Sequence, residues 1–142
     1  MQANAIVDTY EVKTAEYQTA GDASASIKRK LKKLGVDSGI LRRIAVASYE
    51  VELNLIIHSM GGTLTMEMTP AEIKLISKDV GPGIPSVDKA LQEGYSTASE
   101  EARNLGFGAG MGLPNMRRNA DCFHIESELG EGTLIEMSFS LS

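Results

Sequence analysis

The chain has 142 residues, of which 42% are hydrophobic and 23% charged, and its formal net charge is −5. This length suits one compact domain with its own core, so we expect a single domain over residues 1–142. The hydrophobic content excludes a disordered chain, and 14 glycines with 4 prolines are too few for a collagen-like repeat.

Neither a membrane anchor nor a disulfide framework is predicted. The longest apolar run, around Leu53 to Ile57, is far shorter than the ~20 residues that span a bilayer, and the N-terminus lacks a basic segment followed by an apolar one. Cys122 is the single cysteine, and His58 and His124 do not stand at metal-ligand spacing. We therefore expect a soluble cytoplasmic protein in which these three residues are structural.

The charge is distributed unevenly along the chain. Residues 1–43 carry eight Lys or Arg against five Asp or Glu, whereas the remainder carries six against fourteen. The basic residues concentrate between Lys28 and Arg43 without interleaved aromatic residues, which disfavours nucleic-acid binding. A solvated helix face is the simpler interpretation of this segment, and a docking surface for an acidic protein partner is the alternative.

In chain order, the first elements predicted are an edge strand and a helix. Ala5–Lys13 mixes apolar and polar residues in imperfect alternation, as a strand at the edge of a sheet does. Asp22 can cap the helix that follows, and Gly35 supplies its end. The apolar positions of this helix are Ile27, Leu31 and Leu34.

A longer second helix opens at Asp37 or Ser38 and closes near Ser59. Its apolar stripe is formed by Ile40, Ile44, Ala47, Val51 and Leu55. Two segments whose composition favours β-strands follow, Thr63–Thr69 and Glu72–Lys78. The Pro70-Ala71 pair between them predicts a hairpin.

The second half of the chain is predicted to contain more loop than the first half. A short helix is expected at about Ser86 to Glu93, followed by Gly94–Gly112, nineteen residues with little periodicity, and a loop of that length in a small domain is usually functional. Pro114 to Ala120 predicts a helix with proline in its first turn. The strands Cys122–Ser127 and Thr133–Ser140 close the chain.

Glu50 and Asn54 stand four residues apart on the second helix, so they share a face at the edge of its apolar stripe. A carboxylate that accepts a proton, beside an amide oxygen that binds a hard cation such as Mg²⁺, suits phosphoryl transfer. The same spacing occurs on many solvated helices, so the pair alone is weak evidence.

The turn Asp79–Pro85 places an aspartate at a strand end, followed by two glycines that let another molecule approach the backbone. Such a carboxylate can accept a hydrogen bond from the exocyclic amine of a base, and a site of this kind rejects ligands that lack the amine. An ordinary turn is the simpler alternative.

The segment Gly106–Gly112 has glycine at every second position directly before a predicted helix. Backbone N–H groups without side-chain bulk, together with the positive end of a helix, bind phosphate well. The segment differs from the Walker A and dinucleotide-binding patterns, and a flexible linker is the alternative.

Taken in order, these three features and the final Gly130-Glu131-Gly132-Thr133 resemble the nucleotide-binding motifs of the GHKL ATPase superfamily over residues ~45–135. The short length resembles the bacterial anti-sigma-factor serine/threonine kinases and the stressosome switch kinases. The resemblance implies the Bergerat fold, a two-layer α/β sandwich in which about three helices cover one face of a mixed sheet. It also implies ATP and Mg²⁺ bound between helices and a mobile lid.

The resemblance also implies roles for individual residues. Glu50 corresponds to the general base and Asn54 to the Mg²⁺ ligand, while Asp79 corresponds to the carboxylate that reads adenine, helped by Gly83 and Thr133. The remaining nucleotide-binding residues that it implies are Gly81, Ile84, Arg103, Gly106, Gly108, Gly110, Met111, Gly112 and Leu113, with Gly108, Gly110 and Gly112 facing the phosphates and Arg103 reaching one when the lid closes.

The implied function is a serine/threonine kinase that phosphorylates a small partner resembling a STAS-domain antagonist and regulates transcription or stress signalling by partner switching. The resemblance also suggests a sigma factor or phosphatase as partner, leaves a homodimer open, and gives no reason to expect nucleic acid or a membrane. Two alternatives remain, a nucleotide-dependent binding module without transfer and a standalone ATPase domain of a histidine kinase. His58 lies in the wrong context for a phosphoacceptor histidine.

Overall fold

The computed structural model describes residues 5–13, 17–58, 61–81, 91 and 112–141. These residues form five strands and three α-helices, and a 3-10 turn at Tyr17–Thr19 precedes the first helix. The strands are β1 (Ile6–Val12), β2 (Gly62–Met68), β3 (Glu72–Asp79), β4 (Cys122–Glu128) and β5 (Gly132–Ser140). The helices are α1 (Asp22–Lys33), α2 (Ser38–His58) and α3 (Gly112–Asn119).

The strands form one sheet in the order β1-β2-β3-β5-β4. All four pairings among the described strands are antiparallel, so the sheet is not the mixed one that we expected. Two of these pairings, β2 with β3 and β4 with β5, join consecutive strands across short turns, which impose antiparallel pairing. The other two, β1 with β2 and β3 with β5, join strands that are far apart in the chain. This order brings the end of β3 next to the start of β5 at the centre of the sheet.

The two faces of the sheet differ in chemistry, because successive side chains of a strand point to opposite sides. On one face, Leu75 is in register with Met66 and Met137, and all three are buried. On the other face, Lys74 and Glu136 are exposed. The helices pack on the apolar face, which confirms a two-layer sandwich.

Helix α1 ends as predicted, with Gly35 at φ 84° directly after its C-cap, but it differs from the prediction at its start and at one apolar position. Asp22 is the first helical residue and not the cap, since the cap position is occupied by Gly21, which has φ 98° and no side chain to accept a hydrogen bond. Ile27 and Leu31 are buried as expected, but Leu34 follows the last helical residue and is 44% exposed.

Helix α2 begins as predicted. The Asp37 carboxylate accepts hydrogen bonds from the backbone N–H groups of Gly39 (3.0 Å) and Ile40 (3.4 Å), as an N-cap residue does. The predicted apolar stripe is buried from Ile44 onwards and is partly buried at Ile40. This stripe packs α2 across the sheet.

The strand predictions are confirmed to within one or two residues, and α3 begins two residues earlier than expected, at Gly112. The expected helix at Ser86 to Glu93 and the loop from Gly94 to Met111 lie outside the described residues, apart from Leu91. Among the helices of the described part, none has the length and apolar character needed to cross a membrane.

Candidate functional site

Glu50 lies where α2 meets the N-terminal end of α3. Its Oε2 is 3.3 Å from the point that a Cβ on Gly112 would occupy, so a larger residue at Gly112 would press on the carboxylate. The side-chain amide of Asn115 hydrogen-bonds the same carboxylate. Burial raises the pKa of Glu50, and the Asn115 hydrogen bond opposes this effect. Glu50 is therefore a half-buried acid with a raised affinity for a proton.

Asn115 is oriented by its own helix. Its Oδ1 accepts a hydrogen bond from Arg118 Nη1 at 3.0 Å, which leaves the NH₂ group to donate to Glu50. Asn115 is not among the predicted site residues, because its contact with Glu50 joins two helices more than sixty residues apart in the chain. Its position one turn after a glycine-rich segment is the only signal that could have suggested it.

Asp79 ends β3 and is fixed to the start of β5. Its Oδ1 accepts the backbone N–H of Thr133 at 2.8 Å. Burial raises the pKa of Asp79, and this hydrogen bond opposes the rise. The Thr133 side chain is itself buried, and its hydroxyl lies 2.9 Å from that of Ser127.

Gly132 allows this close approach of the two strands. A Cβ on Gly132 would lie 2.2 Å from the carbonyl oxygen of Asp79, and the residue has φ 144°, a conformation that other residues rarely adopt. The turn after β3 also contacts the turn between β4 and β5, since the N–H of Gly81 donates to the carbonyl oxygen of Glu131 at 3.4 Å. Gly132 of the final motif thus has a structural reason in the placement of Asp79.

The described part of the chain contains about half of the predicted site residues. Glu50 is brought together with Gly112, and Asp79 with Thr133, while Leu113 is buried in the core. Asn54 lies one helical turn after Glu50 and is partly buried. The predicted residues outside the described part are Gly83, Ile84, Arg103, Gly106, Gly108, Gly110 and Met111.

A second acid on α2, which is not among the predicted site residues, has a different environment. Glu52 is 2% exposed, and its carboxylate accepts the backbone N–H groups of Gly21, Ala23 and Ser24 at 2.9–3.2 Å. It therefore does for α1 what we expected of Asp22. Glu52 also lines a cleft of about 600 Å³ between β1 and α1, and none of the predicted site residues lines that cleft.

The fold and the two acidic positions define the class of protein. An antiparallel sheet covered on one face by helices, with Glu50 on the central helix and Asp79 at a strand end, matches the sandwich that the GHKL motifs implied. No family model matches the chain.

Individual relatives are more informative. The chain is 33% identical over 109 residues to the serine/threonine-protein kinase RsbT of Bacillus subtilis (strain 168), a match covering 74% of this chain and 76% of that protein. It is 35% identical over 100 residues to an anti-sigma F factor of Caldanaerobacter subterraneus subsp. tengcongensis, covering 67% and 66%. It is 34% identical over 100 residues to an anti-sigma F factor of Thermoanaerobacter sp. (strain X514), again covering 67% and 66%. The chain therefore belongs to this family of GHKL-type partner-switching serine/threonine kinases.

Proposed function

We propose that this chain transfers the γ-phosphate of ATP to a serine or threonine of a small STAS-domain partner and thereby controls a transcriptional or stress response by partner switching. Membership of a kinase family implies ATP as the phosphate donor. The observation that carries the proposal is the half-buried Glu50, held by Asn115 against the N-terminal end of α3.

Glu50 has the properties of a general base for this transfer. The partner's hydroxyl oxygen forms a bond to the γ-phosphorus, the bond between that phosphorus and the leaving oxygen of ADP breaks, and the hydroxyl proton passes to the Glu50 carboxylate. Burial raises the pKa of Glu50 and so brings it nearer to the working pH, where a base is most effective.

The N-terminal end of α3 suits the phosphates of the nucleotide. The first N–H groups of a helix have no partner within it and carry partial positive charge. Gly112, the first residue of α3, places no side chain between these groups and Glu50. We infer that the phosphates lie here, with the glycine-rich residues 106–112 around them.

Asn54 is the residue that we propose for Mg²⁺. Among the described residues no group of three His, Cys, Asp or Glu could hold a metal ion. Mg²⁺ does not need such a group in kinases, because phosphate oxygens and waters supply most of its ligands and a protein adds one or two. The amide oxygen of Asn54, one turn after Glu50, fits that donor set, and the ion would neutralise phosphate charge during transfer.

Asp79 is proposed to recognise adenine. Its Oδ1 is engaged by Thr133, while Oδ2 has no hydrogen-bond donor within the described part of the chain. A carboxylate oxygen fixed in this way can accept the exocyclic amine of adenine, and a base without that amine would leave the acid unpaired.

The test uses three variants and the STAS-domain protein encoded nearest to this chain. Glu50→Gln is expected to lower phosphate transfer by about 10²–10⁴-fold with little change in ATP affinity, because it removes only the base. Asp79→Asn is expected to weaken ATP binding by at least about tenfold. The matched control is Glu136→Gln, on the exposed face of β5, which is expected to change neither.

Transfer is measured with radiolabelled ATP and phosphosite mapping, and affinity by calorimetry on nucleotide-free protein. Full activity of Glu50→Gln, or a phosphate found on histidine, would contradict the proposal.

The names of the relatives favour one second candidate. Two of them are anti-sigma F factors, so we also consider nucleotide-dependent binding of a sigma factor without obligatory transfer. The same Glu50→Gln variant separates the two, because binding of a partner in the presence of ATP would persist while phosphorylation is lost.

A further inference from the structure

The outward face of α2 carries an apolar stripe that the core does not use. Val46, Tyr49 and Leu53 follow Arg42 at intervals of four, three and four residues, which places all four on one side of the helix. Val46 is 37% exposed, Tyr49 is 38% exposed and Leu53 is partly buried. Apolar side chains at this spacing on a solvent-facing helix are the pattern against which a second helix packs.

The stripe is held in place by its neighbours. The Tyr49 ring is 3.4 Å from the point that a Cβ on Gly21 would occupy, so it leans over the N-terminal end of α1. Helix α1 packs along α2, and Glu52 fixes the start of α1 through three backbone N–H groups. Three of the six large apolar side chains that are exposed in the described part, Leu34, Val46 and Tyr49, belong to these two helices and their connection.

Helix α1, which packs along α2, carries most of the exposed basic residues of this region, and Arg42 stands four residues before Val46 on α2 itself. Residues 22–43 contain seven Lys or Arg against two Asp or Glu. Lys30 pairs with Asp8 and Arg43 with Asp121, whereas the others form no ion pair with another described residue. These exposed residues are Lys28, Arg29, Lys32, Lys33 and Arg42.

We propose that this α1–α2 surface, formed by Val46, Tyr49, Leu53 and the five exposed basic residues, binds an acidic amphipathic helix of a protein partner. The partner's apolar side chains would pack on the α2 stripe, and its flanking Asp and Glu would face the basic residues. Val46 and Leu53 stand four residues before and three residues after Glu50, so the stripe runs beside that residue, but the inference does not depend on phosphate transfer.

Charge decides between the occupants. A second copy of this chain, docked through the same face around a two-fold axis, would bring five exposed basic residues from each copy into one interface and leave them uncompensated. A nucleic acid would satisfy the charges but has no surface complementary to three apolar side chains in a row, and the net charge of −5 repels it. An acidic helix satisfies both halves of the surface.

The experiment measures binding of three stapled helical peptides by fluorescence anisotropy. All three carry the same Leu and Ile face, and their flanking positions are Glu, Gln or Lys. We expect the Glu peptide to bind most tightly and the Lys peptide about tenfold or more weakly, with the difference shrinking as salt rises.

Two double variants identify the surface. Val46→Ser with Tyr49→Ser is expected to weaken binding of every peptide by about tenfold or more. Arg29→Glu with Lys32→Glu lowers the charge of the surface from +5 to +1 and is expected to remove most of the preference for the Glu peptide over the Lys peptide. The matched control reverses two exposed charges on the open face of β3, Lys74→Glu with Lys78→Glu, and is expected to keep the original order.

Melting temperatures and ATP affinities of all variants are measured in parallel, so that loss of folding is recognised. Equal binding of the three peptides, no saturable binding of any of them, or an undiminished preference for the Glu peptide in the charge-reversed variant would overturn the proposal. Tighter binding of single-stranded oligouridine that the same variants abolish, or self-association that Tyr49→Ser abolishes, would overturn it in favour of RNA or of a second copy.

Discussion

Two glutamates on α2, separated by one residue, have opposite environments. Glu52 faces α1, is almost completely buried, and accepts three backbone N–H groups. Glu50 faces α3, is half buried, and receives one side-chain amide, and burial raises its pKa. Burial by itself therefore does not decide what a carboxylate does. The donors that surround it do: the Glu52 carboxylate accepts three backbone N–H groups and anchors a helix, whereas Glu50 receives a single side-chain amide and burial raises its pKa.

Asp79 is intermediate between these two. It accepts one backbone N–H, from Thr133, and burial still raises its pKa. One carboxylate oxygen is thus fixed by a hydrogen bond, but this single bond does not offset the whole effect of burial on the pKa. This combination suits a residue that must point in a defined direction and still accept a hydrogen bond from a ligand.

The largest effect on stability is expected at Glu52. Glu52→Ala removes the acceptor for three N–H groups at the start of α1 and should lower the free energy of unfolding by about 2–4 kcal/mol. Glu52→Gln should cost about half as much, since its amide accepts through one oxygen only. Urea denaturation measures both, with Glu136→Gln as control. A loss below about 0.5 kcal/mol for Glu52→Ala would show that the contrast with Glu50 is wrong.

A smaller effect is expected at Gly132. In Gly130→Ala the added Cβ meets nothing within 4 Å, so only the strain of φ 81° counts, about 1–2 kcal/mol. Gly132→Ala adds a clash with the Asp79 carbonyl oxygen and should cost at least about 1 kcal/mol more, with weaker ATP binding. The two variants are compared by denaturation and calorimetry. Equal costs would mean that the approach of β5 to Asp79 is not tight.

The smallest effect is the pH dependence at Glu50. Because its pKa is raised in the folded protein, the stability that protonated Glu50 contributes is complete below the ordinary pKa of glutamate and is lost as pH rises through the raised value. The Glu50→Gln variant does not titrate there, so it should gain stability relative to the parent between about pH 4 and pH 7. Denaturation curves across this range measure the difference. A constant difference, or one that favours the parent at higher pH, would contradict the raised pKa.

Elements with a strong local pattern were predicted to within one or two residues. The stripe of α2, the Asp37 cap and the β2–β3 hairpin depend on residues close together in the chain, and the structure confirms them. The wrong predictions involve distant residues. Asp22 does not cap α1 because Glu52, thirty residues later, supplies the acceptor.

The nucleotide site likewise has features that the local sequence predicts and features that depend on contacts between distant residues. The order of its motifs identified the family, since spacing along the chain is a property of sequence, and relatives at 33–35% identity confirm it. Neither Asn115 nor the clash that makes Gly132 necessary could be predicted, because each depends on a contact between elements far apart in the chain.

The sequence by itself determined the class of protein, the helices and strands, and the acids worth testing, because residue type and spacing are local properties. Only the tertiary structure decided which of these acids holds a helix in place and which retains affinity for a proton. That decision depends on how many N–H groups surround each carboxylate, and those groups come from parts of the chain that only folding brings together.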